Sequence, residues 1–439
     1  MAIGDDRWRT LGLSLALTLL APALPAVPPP DPPSPSPSPG TGQGTGQGTG
    51  QGAGQGAVPV AARPGPSAGQ PALTPALQAI RLPPGYRLSL FSDQVPGARE
   101  LAVAERGVVF VGSARQRSVY ALVDGDGDGR AERVLIVARD LEAPNGVAYR
   151  AGSLYVAEVD RVLRYDQILD HLEAPPPPRT IFHGLPKDTH HGYRYLAFSP
   201  KGELFTAVGA PCNVCDRGAP YGTVLRLKDS EAEIYAEGVR NSVGLAFDPM
   251  SQDLWFTDNG RDHLGDDLPS CELNHAPKPG LHFGFPFVHG RDTLDPQYGK
   301  GLKDLRRFTP PALELGAHVA PLGLAFYTGE QFPPAMKGQL FIAEHGSWNR
   351  SRKVGYRVVV VRFDAARQAV GFEPFAEGWL QGEEATGRPV DVKVAVDGTL
   401  LVSDDEAGAV YRIAYAPAPA PGGTPASPPE TSPANTPGQ

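Results

Sequence analysis

Short apolar runs recur along the chain in pairs, each pair divided by turn residues. The clearest pair lies in GVRNSVGLAFDPMSQDLWFTDNGR, from Gly238 to Arg261. Val243, Gly244, Leu245, Ala246 and Phe247 form one run, an Asp-Pro turn follows, and Leu254, Trp255 and Phe256 form the second. Two runs this short around a turn predict a β-hairpin. Arg240-Asn241 precedes the first strand and Asn259-Gly260 follows the second. In an antiparallel pair those positions fall at the same end. One end of the hairpin therefore carries polar chemistry, and its middle carries core.

The pattern occurs six times, with further copies starting at Ala98, Asn145, Tyr195, Leu322 and Val390. Several copies are followed by a third strand with an aromatic or basic end: SVYALVD at Ser118, RVLRYD at Arg161, TVLRLKD at Thr223, YRVVVVRFD at Tyr356 and AVYRIAY at Ala409. A repeated four-stranded unit at roughly 50–80-residue spacing predicts propeller blades. The chain is thus expected to be all-β, a six-bladed β-propeller of four-stranded antiparallel blades. A β-sandwich with accidental internal similarity is the plainer alternative.

Composition narrows where that fold lies. Residues 1–26 read as an export signal, with Arg7 and Arg9 ahead of the apolar LGLSLALTLLAPAL and small residues from Ala21 to Ala26. A membrane anchor is the competing reading, but the run is short for a span and prolines follow it at once. Residues 27–78 are Pro-rich and then Gly-Thr-Gly-Gln-rich, and residues 415–439 are a Pro/Ala/Ser/Thr tail. Neither can bury a core, so both are expected to be disordered. The folded domain is placed at 79–414, and the protein is expected in the periplasm or the medium. A net charge of −8 makes nucleic acid an unsuitable partner, and no membrane span is expected in the mature chain.

The cysteines are Cys212, Cys215 and Cys271. Cys212-x-x-Cys215 suits a local disulfide, a redox pair or half a metal site. Asp216 stands where c-type haem attachment needs His, and no second CxxC supports structural zinc. The local disulfide is the preferred reading.

Five stretches could carry chemistry. Asp124-Gly-Asp126-Gly-Asp128-Gly129 has the carboxylate alternation of Ca²⁺ loops, but Leu135 occupies the twelfth position, where an EF-hand needs Glu. It reads as a weak Ca²⁺ turn or a solvated acidic turn. Thr189–Arg194 puts His191 just ahead of the third hairpin, where a neutral imidazole can take a proton from a hydroxyl. A surface or metal-binding His pair is the alternative. Arg240-Asn241 with Asn259–Asp262, His345–Lys353, and Gly387–Asp391 all fall at the equivalent end of their repeats. Basic side chains from several blades would converge on one mouth of an acidic protein, which points to an anionic ligand. The plainer reading pairs these arginines with local carboxylates.

With these residues assembled, the chain resembles the soluble pyrroloquinoline quinone (PQQ)-dependent sugar dehydrogenases, in their sorbosone/aldose dehydrogenase-like branch. The resemblance rests on HHGYRYLAFSPKGELFTAVG, GVRNSVGLAFDP, FTDNGRDHLGDDLPSCELN, HVAPLGLAFY, EHGSWNRSRKVGYRVVVVRF and GRPVDVKVAVDGTLLVSDD, and spans about 80–414. It implies a six-bladed propeller, with His191 as general base, nine residues before Pro200. Arg240 and Asn241 match a pair that contacts the cofactor, and Arg388 matches an arginine for a cofactor carboxylate. The carbonyls of Gly260 and Arg261 match the loop that holds an activating Ca²⁺. The family's cofactor lysine falls near Trp348–Lys353, where Arg350 and Lys353 are both candidates. Two positions depart from the pattern: Val243 stands for a Gln, and Val390 for a second cofactor arginine.

The implied chemistry is hydride transfer from an aldose-type sugar or sugar aldehyde to PQQ, a planar quinone with three carboxylates. Ca²⁺ would polarise the quinone, and an external quinone, cytochrome or dye would take the electrons. No strand–GxGxxG–helix unit suggests a nicotinamide. Two other classes stay open: a Ca²⁺-dependent lactonase with Asn241 and Asp258 as ligands, and a non-catalytic binding propeller of the cell envelope.

Overall fold

The computed structural model describes residues 77–417 and the pair Trp8–Arg9. Apart from that pair, the expected export signal lies outside the described residues, as do the spacer up to residue 76 and the tail beyond 417. Within 77–417 the chain forms six four-stranded antiparallel blades. Blade 1 is Ala98–Val103, Val108–Ser113, Val119–Val123 and Arg133–Ala138. Blade 2 is Gly146–Arg150, Ser153–Ala157, Arg161–Tyr165 and Arg179–His183. Blade 3 is Ala197–Phe198, Leu204–Val208, Thr223–Lys228 and Glu231–Glu237. Blade 4 is Leu245–Phe247, Leu254–Asp258, Ser270–Ala276 and Leu313–Ala317. Blade 5 is Pro321–Phe326, Leu340–Glu344, Arg357–Phe363 and Ala369–Glu377. Blade 6 takes Pro389–Val394, Leu400–Asp404 and Ala409–Tyr415 from the end of the domain, and its outer strand, Tyr86–Ser92, from the start.

Each hairpin read from the sequence supplies the first two strands of a blade. The first strands pack around the axis. Alternation along the strands puts one apolar face of each blade against the next, and six buried clusters fill the gaps between blades. The closing strand was not read from the sequence. It removes the sheet edge that blade 6 would otherwise leave open. The domain limits also move outward. Leu77, Ile80 and Leu82 pack on the cluster between blades 5 and 6. Tyr415 pairs with Tyr86, and the Ala416 N–H reaches the Gly85 carbonyl.

An acid ends the second strand in several blades, or follows it by one residue: Glu158, Asp258, Glu344 and Asp404. Its carboxylate catches a backbone N–H of the loop that leads into the blade. Asp258 accepts from the N–H groups of Arg240 and Asn241, both at 2.7 Å. Asp404 Oδ1 accepts from the Arg388 N–H at 2.9 Å. Glu158 Oε1 does the same for Glu142 at 2.6 Å. These contacts set the backbone of the residues at the mouth. Burial pushes the carboxyls of Asp258 and Asp404 up to about 6.

In blade 5 the acid instead meets a side chain. Glu344 is fully buried and pairs with Arg357 Nε at 2.6 Å, while its Oε1 has no partner among the described residues. Burial raises it to about 7, with Arg357 opposing. A raised folded-state value means that the folded protein binds the proton more tightly than the unfolded chain. The stability is present below the unfolded value and is lost as pH rises through about 7. Glu344→Gln should flatten the fall in unfolding free energy between about pH 4.5 and pH 7 by an amount on the order of 3 kcal/mol. Urea titrations of both proteins across that range measure it, and parallel slopes would contradict it.

Candidate active site

Loops from the start of several blades enclose a cavity of about 270 Å³ at one end of the axis. His191, Arg240, Asn241, Gly260 and Arg388 line it, as the sequence reading expects. Tyr193, Asp262 and His345, which fall inside stretches singled out in the sequence but were given no role of their own, line it as well, and so do Arg99 and His318, which were not singled out there.

His191 sits in the left-handed region at φ 51°, a conformation that a non-glycine residue keeps only when its surroundings impose it. Arg194 is one such restraint. Its buried guanidinium donates to the carbonyls of Val159, Pro186 and His191. Gly209 is another: a Cβ there would lie 2.6 Å from the His191 Cβ, so only glycine lets the strand end pass beneath the ring. His191 Nδ1 is 2.8 Å from the Ala210 carbonyl. A carbonyl only accepts, so Nδ1 carries the proton and Nε2 presents a lone pair. Burial, with Arg240 and His190 adding, holds the imidazole far below its ordinary value, at about 2. It is a neutral acceptor at any working pH.

Arg240 is buried, and all five of its N–H groups are engaged. Nε and Nη2 donate to the carbonyl and side-chain oxygens of Asn213, both at 2.8 Å. Nη2 also meets Asp262 at 3.0 Å, and Nη1 meets the Asn259 and Gly260 carbonyls at 3.2 and 3.0 Å. Arg240 therefore braces the loops around the cavity and has no donor left for a ligand. It also sets a guanidinium against the Gly260 oxygen expected to hold Ca²⁺. Arg261 is absent from the lining; its side chain bonds buried Asp295 at 2.5 Å. The donors as arranged do not fit the expected cation.

Arg388 is placed differently. Nε and Nη2 donate to the His345 and Gly346 carbonyls at 3.2 and 3.0 Å, and Nη1 has no protein partner among the described residues. Arg99 stacks on Tyr193 at 4.8 Å, and its Nε and Nη1 bond Asn145 and Asp405, each at 2.8 Å. Its Nη2 is likewise without a partner among the described residues, as is the Asn241 side-chain amide. The two candidate replacements for the family lysine do not join them. Arg350 reaches Asp266 and Asp267, and Lys353 reaches Glu383, all outside the cavity. This corrects the reading of both as cofactor ligands: nearer acceptors on the rim engage them.

The departures Val243 and Val390 turn out to be neighbours. With Leu322 and Tyr193 they form one small apolar cluster, and Val243, Leu322 and Tyr193 line the cavity. The cavity lining thus combines these apolar side chains with the guanidiniums of Arg99, Arg240 and Arg388.

Cys212 and Cys215 are disulfide-bonded, as expected. The bridge closes the short loop that carries Asn213, whose side-chain oxygen also accepts from the Asp262 N–H at 2.8 Å. Its role is to hold that brace. Replacing both cysteines by Ser should cost about 2 kcal/mol of stability and leave turnover within about tenfold, since neither sulfur lines the cavity. Thermal melts and dye-linked assays measure the two effects. A loss of several orders of magnitude in turnover at unchanged stability would mean that the cysteines act chemically.

Asp258 is fully buried, and besides the two N–H groups it accepts from Ser242 Oγ at 3.0 Å. It does not line the cavity, so the lactonase ligand pair Asn241 and Asp258 is not assembled. Asp124, Asp126 and Asp128 cluster with Glu132 between the third and outer strands of blade 1, away from the mouth.

Comparison with known proteins adds to this geometry. The glucose/sorbosone dehydrogenase family matches residues 161–412. An uncharacterized protein of Borreliella burgdorferi is 32% identical over 351 residues, 76% of this chain and 91% of that protein. The aldose sugar dehydrogenase YliI of Escherichia coli K12 is 27% identical over 269 residues, 55% of this chain and 65% of that protein. Among solved structures, the holo PQQ domain of pyranose dehydrogenase from Coprinopsis cinerea superposes with a TM-score of 0.64 at 18% identity, covering 76% of this chain and 97% of that one.

Proposed function

Because the chain belongs to the glucose/sorbosone dehydrogenase family, we propose that it is a PQQ-dependent oxidoreductase that oxidises an aldose-type sugar or sugar aldehyde. The observation that carries this reading is the cavity's composition. Nitrogens of Arg99, Arg388 and Asn241 that have no partner among the described residues share the lining with apolar Val243 and Leu322, with the Nε2 of His191 at the same mouth. That combination suits a flat, multiply carboxylated ring system beside a hydroxyl that must lose a proton.

PQQ, when bound, supplies acceptance of two electrons as hydride. Arg388 and Arg99 would hold its carboxylates by charge-assisted bonds, and Val243, Leu322 and Tyr193 would meet its apolar face. His191 Nε2 takes the hydroxyl proton of the substrate, and its Nδ1–H bond to the Ala210 carbonyl fixes the ring for that transfer. No step is assigned to Ca²⁺, because Arg240 engages the Gly260 carbonyl. The electron acceptor is an external quinone, cytochrome or dye. The apolar leader at 1–26 supports export to the periplasm or medium. Among the described residues no helix is long and apolar enough to cross a membrane.

The test is addition of PQQ to the purified chain, with and without Ca²⁺, followed by quinone absorbance and dye reduction with a panel of aldoses. Saturable binding with sugar-dependent dye reduction is expected. Binding without turnover on any sugar would favour the non-catalytic propeller, and no binding would overturn the reading.

A further inference from the structure

The loop after the second strand of blade 5 puts His345 into the cavity lining. Its Nε2 is 2.8 Å from Asp405 Oδ1. A carboxylate accepts, so Nε2 carries the proton and Nδ1 is bare. Asp405 Oδ2 takes a bond from Arg99 Nη1 at 2.8 Å. Arg388 grips the same histidine from its backbone carbonyl, and the His345 N–H is tied to the Ala320 carbonyl at 2.9 Å. The charged groups that face this imidazole are therefore one carboxylate, Asp405, and two guanidiniums, Arg388 and Arg99. Without a ligand, burial outweighs Asp405 and holds the ring neutral, at about 4.

The charge balance changes when an anion enters. Arg240 has no free donor, and Arg350 and Lys353 face elsewhere. Arg99 and Arg388 are each partly engaged. Three carboxylates would then meet two partly available guanidiniums. A carboxylate set against the bare Nδ1 of a neutral imidazole meets a lone pair. The same contact becomes a charge-assisted bond once Nδ1 is protonated, and Asp405 behind the ring stabilises the resulting cation.

We propose that His345 is a conditional cation of the cofactor site: it takes up a proton as the carboxylated cofactor binds, and pairs with one cofactor carboxylate through Nδ1–H while Asp405 holds Nε2–H. Arg99 positions Asp405 for this. The inference rests on the PQQ reading above. Its sign follows from linkage: uptake of a proton on binding makes affinity fall as pH rises through the bound-state pKa.

The experiment is calorimetric titration of PQQ into the full chain at about pH 6.5, where the free ring is neutral and a bound one would be charged, in two buffers of different ionisation enthalpy. The wild-type chain should take up close to one proton per cofactor. His345→Gln should take up almost none and bind about tenfold more weakly. Asp405→Asn, which keeps an acceptor but removes the charge, should lower the uptake as well. Binding without proton uptake in the wild type overturns the proposal and leaves the PQQ reading standing. Uptake that persists in His345→Gln also overturns it. Absence of any PQQ binding instead removes the reading on which it rests.

Discussion

His191→Ala should bind PQQ nearly as well as the wild type and turn over about 10²–10⁴-fold more slowly, the contribution of a placed proton acceptor. The two effects separate because, among the described residues, the ring bonds the Ala210 carbonyl and none of the cationic side chains, so no cofactor anchor depends on it. A PQQ titration followed by dye-linked activity at saturating cofactor reads both. The pH profile gives an independent check. A base held at about 2 remains unprotonated throughout the working range. Acid loss of kcat/KM in the wild type should then not follow the ordinary imidazole titration near 6.5. Near-normal turnover in His191→Ala would remove it from the mechanism and leave His318 and His345 as the other imidazoles that line the cavity.

The blades were legible because each hairpin repeats a local rule: alternation, a Gly/Pro/Asp turn, then alternation again. Their closure was not, since Tyr86 and Tyr415 are joined by no local signal and meet only once the ring forms. The site divides the same way. Arg388 sits immediately before the first strand of blade 6, so strand geometry delivers it to the mouth; His191 lies in the loop ahead of Ala197–Phe198 and is held there by Arg194 and by the space that Gly209 leaves. Arg350 and Lys353 lie in a longer loop, where the nearest acceptors decide direction, and Asp266, Asp267 and Glu383 win.

Arg99 was missed; it lies within the first strand of blade 1, one residue past its start, inside the Ala98 repeat. Its neighbours in sequence are apolar or acidic, and nothing local marks it as a ligand group. The acids at the ends of second strands did carry a readable signal. Glu158, Asp258, Glu344 and Asp404 recur at one register of the repeat, and three of them fix backbone at the loops leading into their blades. Gly209 occupies the equivalent place in blade 3, where an acid would collide with His191. The break in the repeat thus marks the His191 position as clearly as the His-His motif does.

Arg388→Ala should weaken PQQ about 10- to 100-fold, the effect of removing one charge-assisted contact. Activity should recover largely at saturating cofactor. The variant leaves its backbone N–H on Asp404, so the loop into blade 6 keeps its anchor. It does release the His345 and Gly346 carbonyls, which stand at the cavity edge where water can replace the lost donors. The effect should therefore appear in affinity rather than in folding. Arg388→Lys distinguishes charge from geometry. One ammonium cannot hold both carbonyls and still point a second donor inward, as the guanidinium fork does, so lysine should restore only part of the affinity. The measurement is the PQQ dissociation constant for the three proteins, with thermal melts as the control for folding. Unchanged affinity in Arg388→Ala would mean that the unengaged Nη1 meets no cofactor carboxylate, and the anionic ligand would then have to be held from the Arg99 side of the cavity.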